Sequence, residues 1–344
     1  MRARRFILGL VALTLGACSA EDDAATTAPD VATSAADVAT TVPGTDAPVP
    51  ASTLPPATTA AVATTAEAST TTTSTTTTTL PETTTSTVAA TTTTTTPLAT
   101  SEGVPVVEAA AYAVFDMRSG QLLASSEADA RRPVGSLMKL LAAHVGYSAG
   151  QPTRIVTAPE GLVLFPGDES IVGISPGQQY SRDTLIRAML KVSANDAARM
   201  LAIDIAGSEA AYAGLMNANA AALGLANTNA VNVTGLDAEG QYSSANDLVR
   251  LGVTLMGGIT FQQTVKEDSA TLGGQAFPNT NDLLGVYPGA DGIKTGRTSG
   301  AGWCILASAT RDGRRVVAAV LGAPTEAARD QAATALLDFG FAQP

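Results

Sequence analysis

From Glu21 to Glu102 the chain is written almost entirely in Thr, Ala, Pro and Ser, including the run TTTTSTTTTT at residues 70–79. The stretch has no aromatic residue and only scattered Val and Leu. It therefore exposes too little apolar surface to offset the entropy of ordering its backbone. This composition predicts a disordered tether over residues 19–104, about 50 Å across as a flexible coil. It also suits either O-glycosylation or a bare spacer. Any hydrophobic core must come from residues 105–344, which are numerous enough to bury a substantial one.

Ahead of the tether, MRARRFILGLVALTLGAC sets Arg2, Arg4 and Arg5 before an apolar stretch, Phe6 to Leu15, too short to span a bilayer. Small residues close it, so residues 1–18 read as a secretory signal. The LGAC ending resembles the lipobox of bacterial lipoproteins. That resemblance implies a diacylglycerol on the Cys18 sulfur, cleavage before Cys18, and enough acyl chain to hold the protein on a membrane. An ordinary signal that contains a cysteine is the plainer alternative. Nothing later is apolar for long enough to form a transmembrane helix.

Residues 105–344 carry 17 basic and 22 acidic side chains with no basic stripe, which argues against a nucleic-acid partner. Cys304 is the only cysteine besides Cys18, and GWCILASAT places it on a buried strand as a free thiol. With one histidine, His144, and one free cysteine, no metal site can be assembled, and nothing calls for a cofactor. His144 reads as a packed or surface residue.

VEAAAYAVFDMRSGQLLASSE reads as a hairpin, and AGWCILASATRDGRRVVAAVLG as a second one turning at Asp312-Gly313. Between them, apolar residues recur at three and four positions over 136–147, 182–207, 209–224 and 244–256, which predicts helices. Ser181 and Ser244 are placed to cap two of these. TEAARDQAATALLDFGF is a closing helix. Strands at both ends with helices between predict an α/β (α+β) fold: an antiparallel sheet built from both termini of the domain, with packed helices and a helical subdomain.

One short pattern poses a chemical question. PVGSLMKLLAA sets Ser136 three residues before Lys139 at a helix start, so the two share a face. A lysine buried there loses the solvation that favours its charge, and the neutral amine can then accept a hydroxyl proton. Alone, the pair is a weak signal and reads more simply as a helix cap followed by a surface lysine. Two further elements change the weighing: Ser193-Ala194-Asn195 in the helical region, and Lys294-Thr295-Gly296 directly before the C-terminal strands. Ser-x-x-Lys, Ser-x-Asn and Lys-Thr-Gly together mark penicillin-binding proteins and class A β-lactamases. The spacing, about 57 residues and then about 100, fits as well.

The likeness extends through SANDAA, MNANAAALGLANTNAVNVTGL, GQYSSANDLVRL, PGADGIKTGRTSGAGWCILASA and VVAAVLGAPT. Along residues 106–342 the chain resembles the serine-type D-alanyl-D-alanine carboxypeptidases, the low-molecular-mass penicillin-binding proteins. Val233 stands where the family usually has proline, and Ala230 where it often has an aromatic; both fall in a structural loop. The resemblance also implies that the C-terminal β-domain and amphipathic helix of some members are absent, leaving a lipid at the other end as anchor.

It implies roles as well. Ser136 would attack the carbonyl between two D-alanines, with Lys139 as base, Ser193 relaying a proton to the leaving amine, and Asn195 holding the substrate backbone and Lys139. Lys294, Thr295 and Arg329 would take the terminal carboxylate. Gly296 would let the strand backbone approach the substrate. The N–H groups of Ser136 and Arg297 would form the oxyanion hole. Asp196 reads as a capping or buried hydrogen-bonding carboxylate.

The expected partners are peptidoglycan stem peptides, with β-lactams as covalent inhibitors, and the expected location is outside the cytoplasm, lipid-moored and facing the wall. A class A β-lactamase would need a glutamate in an E-x-x-x-N setting after Asn195, and the stretch offers only Glu239 without that asparagine. D,D-endopeptidase action on cross-links is chemically adjacent, and a display lipoprotein on a retired peptidase scaffold is the non-enzymatic alternative.

Overall fold

The computed structural model describes residues 103–162 and 169–344. The signal, Cys18 and nearly all of the expected tether lie outside the described residues. In chain order the elements are β1 (Ala111–Asp116), β2 (Gln121–Ser126), a 3-10 turn (Gly135–Met138), α1 (Lys139–Ser148), β3 (Ile155–Thr157) and β4 (Gln179–Ser181). Next come α2 (Arg182–Lys191), α3 (Asn195–Ala206), α4 (Glu209–Ala222), α5 (Ala245–Met256) and α6 (Ile259–Lys266). The chain continues through β5 (Ser269–Leu272), β6 (Gln275–Pro278), β7 (Ala290–Thr298), β8 (Gly302–Arg311), β9 (Arg314–Ala323) and α7 (Glu326–Ala342).

The two terminal hairpins meet in one five-stranded antiparallel sheet, ordered β2-β1-β9-β8-β7. Its centre is apolar on both faces. Along β9, Val317, Ala319 and Leu321 enter one core while Val316, Ala318 and Val320 enter the other. Alternate residues of a strand point to opposite faces, so VVAAVL without a polar break requires cover on both sides. The helix α7 covers one side with Ala332, Ala333, Leu336 and Leu337. Fully burying each of those leucines contributes about 1.5–3 kcal/mol. The other side is covered by α5, through Leu248, Val249, Leu251 and Leu255, and by α6 against β7, while α1, whose Leu140, Leu141, Ala142, Ala143 and Val145 are all buried, packs behind them among the helices of the same core. Ser181, Ser244 and Thr325 cap their helices, accepting from the N–H of Thr184, Asp247 and Ala328.

The periodicity over residues 182–207 predicts one helix, and the structure divides it. The N–H groups of Val192 and Ala194 both return to the carbonyl of Ala188, closing α2. Ser193 between them sits at φ 67°, a left-handed position that a non-glycine residue rarely takes. The chain then restarts as α3. Lys294-Thr295-Gly296 lies within β7 rather than ahead of the strands. The helix α6 and the small hairpins β3–β4 and β5–β6 were not foreseen from the sequence. Among the described residues no helix is long and apolar enough to cross a membrane.

Candidate active site

The turn Gly135–Met138 is seated against β7, and two glycines permit the close fit. A side chain on Gly296 would stand 2.7 Å from the carbonyl oxygen of Val134 and 3.1 Å from the nitrogen of Ser136. A side chain on Gly135, already at φ 56°, would stand 2.9 Å from the nitrogen of Arg297. The close approach made by Gly296 is thus to the turn that carries Ser136. It brings the backbone nitrogens of Ser136 and Arg297 to one seam.

Just past the turn, Lys139 opens α1 and is completely buried. Its Nζ lies 2.9 Å from Ser136 Oγ and 2.5 Å from the carbonyl oxygen of Thr234. Burial lowers the proton affinity of this amine well below the ordinary lysine value, and the charges of Lys294 and Arg199 lower it further against the opposing pull of Glu169 and Asp196. A neutral amine has two N–H donors and one lone pair. The Thr234 carbonyl can only accept, so it takes an N–H, which leaves the lone pair free for the hydroxyl of Ser136.

A cleft of about 200 Å³ opens beside this pair. Ser136, Ser170, Ser193, Thr280, Thr295, Gly296, Arg297, Trp303, Glu326 and Arg329 line it. Besides the turn that carries Ser136, the lining comes from the loops holding Ser170, Ser193 and Thr280 and from β7, β8 and α7. Lys294 is buried, its Nζ donating to the Thr295 carbonyl at 3.0 Å. Its pKa falls to about 7 through burial and then through the nearby charge of Arg329. Thr295 Oγ1 is 2.8 Å from Thr280 Oγ1. Arg329 is only 2% exposed. It is held by Asp330 at 2.7 Å, Asp282 at 3.3 Å and Glu326 at 3.4 Å. Trp303 is flanked by the guanidinium groups of Arg297 and Arg329, 4.8 and 5.5 Å from the ring centre.

Asn195 is buried at the start of α3 and donates through Nδ2 to Glu169 Oε2 at 2.8 Å. Asp196 accepts the N–H groups of Val172, Gly173 and Ile174, as suits a buried hydrogen-bonding carboxylate. Elsewhere, Cys304 is buried on β8 and its thiol is pushed up to about 11 by burial, away from reactivity. His144 is part-buried in α1, outside the cleft.

Sequence reasoning did not single out Thr280, Trp303, the Thr234 carbonyl or Glu169. Thr280 and Trp303 belong to no motif, and a carbonyl oxygen has no sequence signal. Glu169 lies 26 positions before its partner Asn195, and nothing local links them.

A family model described as D-alanyl-D-alanine carboxypeptidase matches residues 98–325. The D-alanyl-D-alanine carboxypeptidase DacA of Escherichia coli (strain K12) is 39% identical over 251 residues, 70% of this chain and 62% of that protein. The chain thus spans a little under two thirds of the length of that curated relative. Among solved structures, penicillin binding protein 6B from Escherichia coli matches with a TM-score of 0.66 at 34% identity, covering 69% of this chain and 78% of that one. Penicillin-Binding Protein D2 from Listeria monocytogenes, in its ampicillin-bound form, matches with a TM-score of 0.62 at 32% identity, covering 68% and 98%.

Proposed function

Because the chain belongs to the D-alanyl-D-alanine carboxypeptidase family, we propose that it removes the terminal D-alanine from peptidoglycan stem peptides through an acyl-enzyme on Ser136. The observation that carries this reading is the buried Lys139 amine 2.9 Å from Ser136 Oγ. In the first step Ser136 Oγ bonds to the carbonyl carbon between the two D-alanines and its proton passes to Lys139. The N–H groups of Ser136 and Arg297 hold the developing oxyanion; losing one such donor typically costs about 10²- to 10³-fold in rate. The tetrahedral species collapses as the C–N bond breaks, and Ser193 relays the proton held by Lys139 to the departing amine, leaving Ser193 a hydroxyl and Lys139 neutral. Water then attacks the ester with Lys139 again as base, releasing the shortened peptide and restoring the hydroxyl of Ser136.

The substrate carboxylate is met by Lys294, Thr295 and Arg329. A guanidinium in the cleft suits that task, since arginine can hold a carboxylate with two parallel bonds. Asn195 holds the substrate backbone. As the last strand of the sheet, β7 leaves one backbone edge without a strand partner among the described residues, which an extended peptide can follow. A β-lactam presents a strained amide to the same serine and would be captured as a stable ester. In this reading the protein works outside the cytoplasm, lipid-moored through Cys18 on a long tether.

A mass spectrum of a stem pentapeptide after incubation tests the reaction, with loss of one alanine expected. Labelling by fluorescent penicillin tests the nucleophile: a stable adduct is expected, and none in Ser136→Ala. Rapid turnover of the drug would instead indicate a β-lactamase, and absence of both label and hydrolysis a display protein.

A further inference from the structure

We propose that Glu169, held by Arg199, is a positioning residue for acyl transfer: it determines which end of the Asn195 side-chain amide is presented to the reacting groups. The inference rests on the functional reading above and assigns a part to two residues that belong to none of the three motifs.

Asn195 and Arg199 lie four positions apart on α3, so they share a face of that helix. The segment opposite is tied to the start of α3 by its backbone. The Asn195 N–H donates to the Ser170 carbonyl at 2.7 Å, and Asp196 gathers the N–H groups of residues 172–174. Glu169 is thereby delivered against both side chains. Arg199 Nη1 donates to its Oε2 at 2.6 Å, Arg199 Nη2 to its Oε1 at 2.8 Å, and Asn195 Nδ2 to its Oε2 at 2.8 Å. The Glu169 side chain is 3% exposed and that of Arg199 is 7% exposed.

An ionised carboxylate only accepts hydrogen bonds, so it can face only the nitrogen end of the amide. With Glu169 in place, Asn195 Oδ1 must point elsewhere. It is buried and has no hydrogen-bond partner among the described residues. A buried acceptor left unpaired is costly, and near a reaction centre it is available to a donor that arrives with substrate or turns toward it. Two donors fit: the second N–H of the Lys139 amine and a backbone N–H of an extended peptide. Were the amide reversed, Nδ2 would meet those same donors and repel them.

Glu169 itself is a poor candidate for a base. Its oxygens already accept three charge-assisted or amide bonds, and although burial pushes its carboxyl up, Arg199 and Asn195 hold it below the usual range. The Arg199 bond is what keeps this anion charged inside the protein, which is why the pair works as a unit.

The test uses Glu169→Gln and the double variant Glu169→Gln/Arg199→Leu, the latter removing a guanidinium that the single change deprives of its buried carboxylate, although Glu209 still lies 3.3 Å from its Nε. In the wild-type protein the Asn195 side-chain amide should give a downfield, slowly exchanging proton in its ¹H–¹⁵N spectrum, and this signature should be lost in Glu169→Gln. In both variants the maximal rate constant for acylation by benzylpenicillin should fall about 10- to 100-fold, with the affinity of the preceding non-covalent complex changed little. The double variant should keep its melting temperature within a few degrees. Acylation of the double variant at the wild-type rate, or an Asn195 amide signal unmoved in Glu169→Gln, would overturn the inference. Should the wild-type protein take no penicillin, the functional reading fails on its own, and the amide spectrum alone decides the role of Glu169.

Discussion

The Lys139 amine and the Thr234 carbonyl are hydrogen-bonded at 2.5 Å across 95 positions of sequence, inside the protein. This contact occupies one N–H of the amine, so that in its neutral form a lone pair remains free for the Ser136 hydroxyl.

Lys139→Met keeps most of the buried volume and removes the lone pair. Acylation by penicillin should fall by about 10³-fold or more, while the melting temperature stays within about 4 °C. Stopped-flow acylation beside a thermal melt measures both. Substantial residual acylation in a folded variant would mean that another group takes the proton.

Protonation should act on the two lysines in opposite senses. Lys294 titrates near 7 because of burial and then the Arg329 charge. Below that pH it is an ammonium, which under the proposed function attracts the substrate carboxylate; above it that attraction would be lost. KM for a free-acid peptide should therefore rise as pH rises through about 7, and an amidated peptide should show no such rise. Lys139 is active when neutral, so the acylation rate should fall as pH is lowered. A KM that stays flat across the neutral range would remove Lys294 from carboxylate binding.

Arg329 is buried yet ringed by carboxylates from Asp282, Glu326 and Asp330. Arg329→Ala should lower kcat/KM for a free-acid peptide by about 10²-fold and affect the amidated peptide far less. If both peptides lose equally and the melting temperature drops in step, the arginine is only structural.

Gly296→Ala places a methyl group 2.7 Å from the Val134 oxygen and 3.1 Å from the Ser136 nitrogen. The turn must shift away from β7, at a cost of about 1–3 kcal/mol. Displacing the nucleophile should also slow acylation by about 10²-fold. A variant with unchanged melting temperature and unchanged labelling would show that the seam between turn and strand is looser than its geometry indicates.

Much of the scaffold was legible before any coordinates. The two apolar hairpins, the caps at Ser181 and Ser244 and the buried thiol at Cys304 each follow from side-chain chemistry acting over a few residues. The reading failed where distant contacts overrule a local preference. Residues 182–207 have an unbroken helical pattern, but the Asp196 carboxylate takes three N–H groups from residues 172–174, and the chain is divided at Ser193. No periodicity reports such an exchange.

The amino-acid sequence by itself determined that a lysine stands one helical turn from a serine, that the chain holds a single imidazole, His144, and that apolar strands at both ends need cover on two faces. These are properties of neighbours along the chain. Only the tertiary structure decided that Lys139 is sealed from water, that a carbonyl 95 residues away takes an N–H of its amine, and that Glu169, itself held by Arg199, accepts from the Asn195 amide. Burial and long-range hydrogen bonding set the charge and the aim of a side chain, and both arise only when segments far apart in sequence are packed together.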